Sequence, residues 1–214
     1  MAIVEIIGLV LIAYFIGSVP TAVWVSKVFY RKDIREHGSG NAGATNTIRV
    51  LGYKAGVPVL LFDVFKGWLA VQLVVWIPFP GLPDEWLTYI RIGCAIAAVL
   101  GHIFPVYAGF RGGKGVGTLA GVGLALYPLA LLIVLGIFIL TLVLTRYVSV
   151  SSILGAVSFP FVVYFITHEH NIALLVLSIL VALFVPLTHR KNIKRLLHGE
   201  ENRFDFRRRK VKNG

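Results

Sequence analysis

The sequence predicts an all-α, polytopic membrane bundle, and three observations carry that reading. Of its 214 residues, 57% are hydrophobic and only 14% charged, against roughly 45–50% and ~25% in soluble domains. The apolar residues arrive in long runs, at 3–25, 55–62, 68–79, 92–108, 116–145, 153–167 and 172–187. A spanning helix needs about 20 mostly apolar residues. Finally, 19 of the 21 Lys and Arg residues gather in a few polar stretches. Together these exclude a soluble dinucleotide-binding enzyme, a zinc-finger protein and a disordered tail. The net charge of +11 is a topology signal, and no nucleic-acid partner is expected.

The first run follows no Lys or Arg and ends in no small-residue cleavage site, so it is expected to stay as a span. Tyr30–Lys54 is a polar loop, Pro78–Asp84 a proline-rich turn, and Gly109–Gly115 a basic, glycine-rich loop. Arg146–Ser152 and Thr167–Asn171 are further polar breaks, and beyond Thr188 the chain turns basic. The stretch 116–146 is too long for one comfortable helix and short for two, with Tyr127-Pro128 inside it. Charge decides: broken near Pro128, it leaves every basic loop and the tail on one side. The positive-inside rule then gives seven transmembrane helices, with the N-terminus out and the C-terminus cytoplasmic. One membrane-embedded domain, 1–202, is expected, followed by a basic tail, 203–214, whose Arg207–Lys210 would lie against anionic lipid. Cys94 stands alone in an apolar run, which leaves no disulfide or thiolate cluster.

Polar residues concentrate on the cytoplasmic side. The first loop, His37 to Arg49, contains Gly38, Gly40 and Gly43 in a G-x-G-x-x-G spacing. No strand precedes it, so the dinucleotide reading is weak. Small residues nevertheless let backbone N–H groups converge on an oxyanion, with Ser39, Asn41, Thr45 and Asn46 as added donors. Arg49 would close such a site with a bidentate fork; a merely flexible interhelical loop is the bland alternative.

In the second loop, His102 and Pro105 precede Gly112, Gly113, Lys114 and Gly115. Glycines around a lysine at a helix N-terminus describe a phosphate cradle. It is not a nucleotide loop, because Ala108 takes the first glycine position and Gly115 replaces the magnesium-binding hydroxyl. Gly121 and Gly123 fit tight helix packing better.

Further on, His189 and Asn192 share a helical face at the membrane edge, as either interfacial residues or a reactive pair. Asp63 and Lys66, three apart inside a span, are costly there and paired, for structure or for function. Arg146, Ser149 and Ser151 form one more cytoplasmic cluster. Absences narrow the chemistry. No His is followed five positions later by Asp, there is no G-x-S-x-G elbow, and no metal-ligand spacing is convincing, so neither metal nor cofactor is expected. Two phosphorylated reactants, one of them lipid-like, fit what remains.

These residues resemble the acyl-phosphate-dependent glycerol-3-phosphate acyltransferase family of bacterial inner membranes. The likeness runs in order through Gly17–Pro20, Gly38–Arg49, Asp63-x-x-Lys66-Gly67, Gly101-His102-x-x-Pro105 with Gly112–Thr118, Arg146–Ser149, and His189 to Leu196. Ala42 and Gly117 depart from the usual residues, at tolerant positions. The resemblance implies seven spans, an active site at the cytoplasmic face of the inner membrane, and transfer of a fatty acyl group from acyl phosphate to the sn-1 hydroxyl of glycerol 3-phosphate. Lysophosphatidic acid and inorganic phosphate would be the products, and neither acyl-CoA nor acyl carrier protein the donor.

It implies that Ser39, Arg49, His189 and Asn192 are catalytic. Gly112–Gly115 with Lys114 would hold the phosphate of glycerol 3-phosphate, and the Glu after Gly199, Glu200, would be structural. Gly38, Gly40, Asn41, Asn46, Lys66, His102 and Ser149 are the further substrate-binding candidates. Arg49, Lys114 and Lys66 would neutralise the leaving phosphate, Ser39 or Asn192 would stabilise the oxyanion, and His189 or the substrate's own phosphate would take the proton. A transporter of anions or phosphate esters is the rival. It lacks paired motifs in two halves, and the clusters lie at one face instead of the midplane. A CDP-alcohol phosphotransferase would need an Asp-rich metal motif that is missing.

Overall fold

The structure is a computed structural model that describes residues 2–206. The basic cluster Arg207–Lys210, expected to lie on lipid, falls outside the described residues. Ten α-helices account for most of the described chain, and the chain divides into two compact units, Met1–Leu126 and Tyr127–Arg207.

In the first unit, α1 (Ala2–Gly17) and α2 (Thr21–Tyr30) are separated by a short break. Pro20 supplies no N–H to continue the helix ladder. The Tyr30–Lys54 loop is not all loop: a 3-10 turn at Ile34–Glu36 and a short helix α3 (Ala44–Leu51) lie within it. Then come α4 (Tyr53–Trp76), α5 (Asp84–Ile103) and α6 (Val116–Leu126). The pairs α4/α6 and α1/α5 pack most extensively. Glycine explains both. A Cβ on Gly17 would strike the Ala98 backbone and one on Gly101 the Tyr14 carbonyl; a Cβ on Gly67 would strike Thr118 and one on Gly121 the Val64 carbonyl. In lipid no hydrophobic force drives helices together, so close backbone approach at small residues supplies the contact. The core beside them is also made of small side chains, with Ala13, Ala70, Cys94 and Ala98 buried.

The second unit contains α7 (Pro128–Thr145), α8 (Val148–Phe161), α9 (Ile172–Thr188) and α10 (Arg190–Leu197). Helix α8 packs on both α7 and α9. Pro160 precedes a π-helical turn, Val162–Ile166, and the Asn171 side chain caps α9 by accepting from Ala173 and Leu174 N–H. Helices α9 and α10 meet at His189 with a 56° bend.

Among the described residues, five segments are long and apolar enough to cross a membrane: Ile3–Tyr30, Tyr53–Trp76, Glu85–Ala108, Pro128–Thr145 and Val148–Ile166. The bent pair α9/α10 makes a sixth if taken as one span. The 116–146 stretch does break at Tyr127-Pro128, as the sequence suggested. Its first half, α6, has 11 residues, a length of about 16 Å, or roughly half the hydrocarbon thickness.

Candidate active site

The first glycine-rich loop is built around one buried amide. Asn46, in the first turn of α3, accepts from the Ser39 backbone N–H at 2.8 Å. Its Nδ2 donates to the carbonyls of Ile34 (3.0 Å) and His37 (2.9 Å). Sequence reasoning made Asn46 a substrate donor; the structure turns its amide onto the loop's own backbone. Gly38 and Gly40 lie in the left-handed region, at φ +62° and +73°, where other residues are strained. A Cβ on Gly38 would collide with Asn46 Oδ1. Ser39 is left half-buried between exposed Gly38 and Gly40, and Asn41 and Arg49 are half-buried too.

An ion-pair cluster staples this loop to the second one. Asp33 receives Arg35 Nε at 2.9 Å, Arg35 Nη2 at 2.7 Å and Lys27 Nζ at 3.0 Å. The Arg35 hydrogen bond dominates and, against the opposing effect of burial, holds the Asp33 carboxyl well below the usual carboxylate range. Arg35 Nη1 then reaches the Ala108 carbonyl at 2.9 Å.

In the second loop, the N–H groups of Gly112 and Gly113 are already used. They donate to the carbonyls of Ile103 (3.0 Å) and His102 (3.2 Å) at the end of α5. The two amides expected in the cradle are therefore taken up by the end of α5; Lys114 and the first turn of α6 follow directly, where helix geometry leaves the leading amides without intrahelical acceptors. Gly115, at φ +83°, turns the chain into that helix. A Cβ on Gly113 would strike the His102 ring and come within 2.8 Å of the Ala42 carbonyl. The two glycine-rich loops meet at this point.

Beneath them lies a buried polar cluster. Asp63 Oδ1 accepts from Lys66 Nζ at 2.8 Å and from Thr21 Oγ1 at 3.4 Å, and His102 Nδ1 stands 3.6 Å away. Lys66 also donates to the Val19 carbonyl at 2.9 Å, in the break between α1 and α2. At 2% exposure, Lys66 ties helices together and does not present a charge at the surface. His102 is likewise buried against Gly113.

In the second unit, His189 occupies the corner between α9 and α10 and is 3% exposed. Its Nδ1 lies 2.8 Å from the Val185 carbonyl. An acceptor there selects the Nδ1–H tautomer and makes Nε2 the accepting nitrogen of the neutral ring. Asn192 Nδ2 donates to Glu201 Oε1 at 2.6 Å, Ser149 Oγ donates to the same oxygen at 3.0 Å, and Arg195 Nε donates to Oε2 at 2.8 Å. Burial pushes the Glu201 carboxyl up, but these donors outweigh it and hold it below its ordinary value. Ser149, expected to bind substrate, is thus placed against Glu201. The structural glutamate is also Glu201, whereas Glu200, expected in that role, is exposed.

The sequence singled out both glycine-rich loops and missed Asp33, Arg35 and Thr21 in the first unit and Glu201 in the second as the residues that fasten these clusters. Among the described residues, no group of three or more His, Cys, Asp or Glu side chains is arranged to hold a metal ion.

Comparison with known proteins gives a consistent result. Residues 7–199 match the family described as "Glycerol-3-phosphate acyltransferase". A glycerol-3-phosphate acyltransferase of Chlorobium luteolum is 42% identical over 94% of this chain and 97% of its own. One of Chlorobaculum tepidum is 41% identical with the same coverage. Among solved structures, PlsY (YgiH), an integral membrane glycerol 3-phosphate acyltransferase, matches in its glycerol 3-phosphate form with a TM-score of 0.84 at 33% identity, covering 94% of this chain and 96% of that one. Its lysophosphatidic acid form matches with a TM-score of 0.79 at 32% identity and the same coverage.

Proposed function

The chain belongs to the glycerol-3-phosphate acyltransferase family, and from that membership we propose that it moves a fatty acyl group from acyl phosphate to the sn-1 hydroxyl of glycerol 3-phosphate. The acceptor oxygen attacks the acyl carbon, the bond from that carbon to the phosphate oxygen breaks, and inorganic phosphate leaves. The hydroxyl proton passes to a base, and lysophosphatidic acid is the lipid product. The observation that carries this reading is the meeting of the two glycine-rich loops at Gly113 and Ala42. It sets Lys114 and the first turn of α6 beside the loop that holds Ser39.

Each residue has a distinct task. Lys114 and the leading amides of α6 take the phosphate of glycerol 3-phosphate, because free N–H groups and the helix dipole favour anions. Arg49 neutralises charge on the leaving phosphate, and Ser39 donates to the oxyanion of the tetrahedral intermediate. His189 and Asn192, in the second unit, are the further catalytic candidates that the resemblance implies, with His189 or the substrate's own phosphate as the proton acceptor; Asn192 is fixed by Glu201. An acyl phosphate is a mixed anhydride whose leaving group needs charge neutralisation more than protonation. That suits a site rich in cations.

The topology proposed with this function is seven spans, N-terminus out, in a bacterial inner membrane, with α6 as a short fourth span. Its support is the charge pattern, since that arrangement places 19 of the 21 Lys and Arg residues on the cytoplasmic side. The experiment that tests the reaction uses purified protein in detergent with palmitoyl phosphate and labelled glycerol 3-phosphate. Palmitoyl-CoA and palmitoyl acyl carrier protein are run in parallel. Equal release of lysophosphatidic acid and phosphate with palmitoyl phosphate alone is expected. Product from palmitoyl-CoA or the carrier protein overturns the donor assignment. Binding of glycerol 3-phosphate without product moves the reading to a transporter, checked by counterflow in liposomes.

A further inference from the structure

Asp63 is buried, and it links α2, α4, the end of α5 and the first turn of α6 around the base of the second loop. One carboxylate oxygen, Oδ1, receives Lys66 at 2.8 Å and Thr21 at 3.4 Å. Lys66 carries the connection to the Val19 carbonyl in the helix break. The same oxygen is 3.6 Å from His102 Nδ1, a buried atom with no hydrogen-bond partner of its own, so Asp63 is the anion facing that ring. The opposite edge of the imidazole abuts Gly113, and the His102 carbonyl accepts the Gly113 N–H. A Cβ at Gly117 would come within 3.0 Å of Asp63 Cβ, so the first turn of α6 also rests on this side chain.

We propose that Asp63 is a positioning residue for the phosphate end of glycerol 3-phosphate, acting through His102 on Gly113 and Lys114 and through Gly117 on the first turn of α6. The proposal rests on the acyltransferase reading above. A carboxylate inside a spanning helix is expensive, and pairing with Lys66 alone would be satisfied by removing both charges. What a plain ion pair does not explain is the position of His102 and Gly117 around the same carboxylate. Both lead directly to the loop that carries Lys114. A carboxylate there holds the imidazole edge in one place, and the edge holds Gly113.

The test separates positioning from simple charge compensation. Asp63→Asn keeps the shape and removes the charge; Asp63→Asn with Lys66→Met removes both charges. The full-length proteins are compared in detergent for KM and kcat, for melting temperature, and for the rate of tryptic cleavage after Arg111, an exposed residue of the second loop. Cleavage after Arg31 and Lys32, exposed in the first loop, is the control.

For Asp63→Asn, KM for glycerol 3-phosphate rises about 10-fold with kcat changed much less, as expected when a binding loop is displaced by a fraction of an ångström. Cleavage after Arg111 accelerates while cleavage after Arg31 and Lys32 does not. In the double variant the melting temperature recovers, but the raised KM and the faster Arg111 cleavage persist, and Asp63→Glu restores part of both. Recovery of KM and cleavage together with stability in the double variant reduces the residue to an ion-pair partner and overturns the proposal. If the single variant does not fold, the double variant alone decides by the same readouts. Absence of acyl transfer in the wild type defeats the functional reading instead, and the cleavage pattern still reports on the loop.

Discussion

Asn46 Oδ1 accepts the backbone N–H of Ser39 at 2.8 Å while its Nδ2 donates to two carbonyls twelve and nine residues earlier in the chain, those of Ile34 and His37. One side chain thereby sets the curvature of the whole first loop. Asn46→Ala leaves the part-buried Ser39 N–H without its acceptor, at about 1–3 kcal/mol for a stranded group, and leaves the Ile34 and His37 carbonyls with only their backbone donors, His37 and Gly40. Asn46→Asp keeps the acceptor for Ser39 and loses both donors. Acyl transfer by either variant is expected to fall by roughly 10-fold or more through misplacement of Ser39. The melting temperature drops further for alanine. Steady-state kinetics beside thermal melting check this, and normal kcat in both variants would show that Ser39 does not need the clamp.

Glu201 gives a prediction about pH. Hydrogen bonds from Asn192, Arg195 and Ser149 outweigh burial and hold its carboxyl below the ordinary value. A carboxylate with a depressed folded-state pKa adds stability that is fully present above its unfolded pKa. That stability is lost as pH falls through the lower folded value. The wild-type melting temperature is therefore expected to be flat with respect to this group from neutral pH down to the ordinary carboxylate range, and to fall below it. Glu201→Gln melts lower at pH 7 and shows a shallower acid arm. The corresponding Glu200→Gln change, at an exposed position, leaves the curve unchanged. An equal effect at both positions would contradict the hub seen at Glu201.

How far the sequence disclosed this arrangement depends on the distance over which each feature is encoded. The apolar runs, the Pro128 break and the Asp63/Lys66 pair are local, so periodicity and spacing exposed them. The third partner of that pair, His102, lies on another helix and leaves no trace in local spacing. Gly112 and Gly113 were legible as a loop, but the carbonyls that take up their N–H groups belong to the end of α5, a pairing that local spacing does not encode. Helix α3 was hidden inside a polar stretch because Thr, Asn and Arg dominate it. Nothing in Gly199-Glu200-Glu201 distinguishes the exposed glutamate from the buried one before the chain is folded.

His189 and Gly113 should separate kinetically. In the proposed reaction His189 takes the hydroxyl proton, so His189→Ala is expected to lower kcat more than it raises KM for glycerol 3-phosphate. Gly113→Ala puts a methyl group into the His102 ring and the Ala42 carbonyl, displacing the phosphate-binding loop, and mainly raises that KM. Kinetics over a range of glycerol 3-phosphate concentrations distinguish the two patterns. The reverse pattern would exchange the two assignments.

Arg35 spans from Asp33 to the Ala108 carbonyl. Its planar fork makes both connections at once, which a lysine ammonium does not reproduce. Arg35→Lys is expected to raise KM for glycerol 3-phosphate several-fold with little loss of melting temperature, because the change loosens the second loop and leaves the helix packing intact. Unchanged kinetics would show that the Gly113–Ala42 contact alone registers the two loops.

Helix packing supplies the most direct test of the fold. A Cβ at Gly121 would drive into the Val64 carbonyl and the Trp68 N–H, backbone atoms that cannot rotate away. A Cβ at Gly136 in α7 meets nothing within 4 Å. Alanine favours a helix over glycine by about 1 kcal/mol, so Gly136→Ala is expected to leave the melting temperature unchanged or raise it. Gly121→Ala forces α4 and α6 apart, and overpacking of this kind costs about 1–3 kcal/mol or more. The loss reaches the active site as well, because α6 carries Gly117 over Asp63 at its other end. Melting curves of the two variants side by side, with acyl transfer measured on each, test the α4/α6 contact; equal stability of the two would mean that the helices do not approach this closely in the membrane protein.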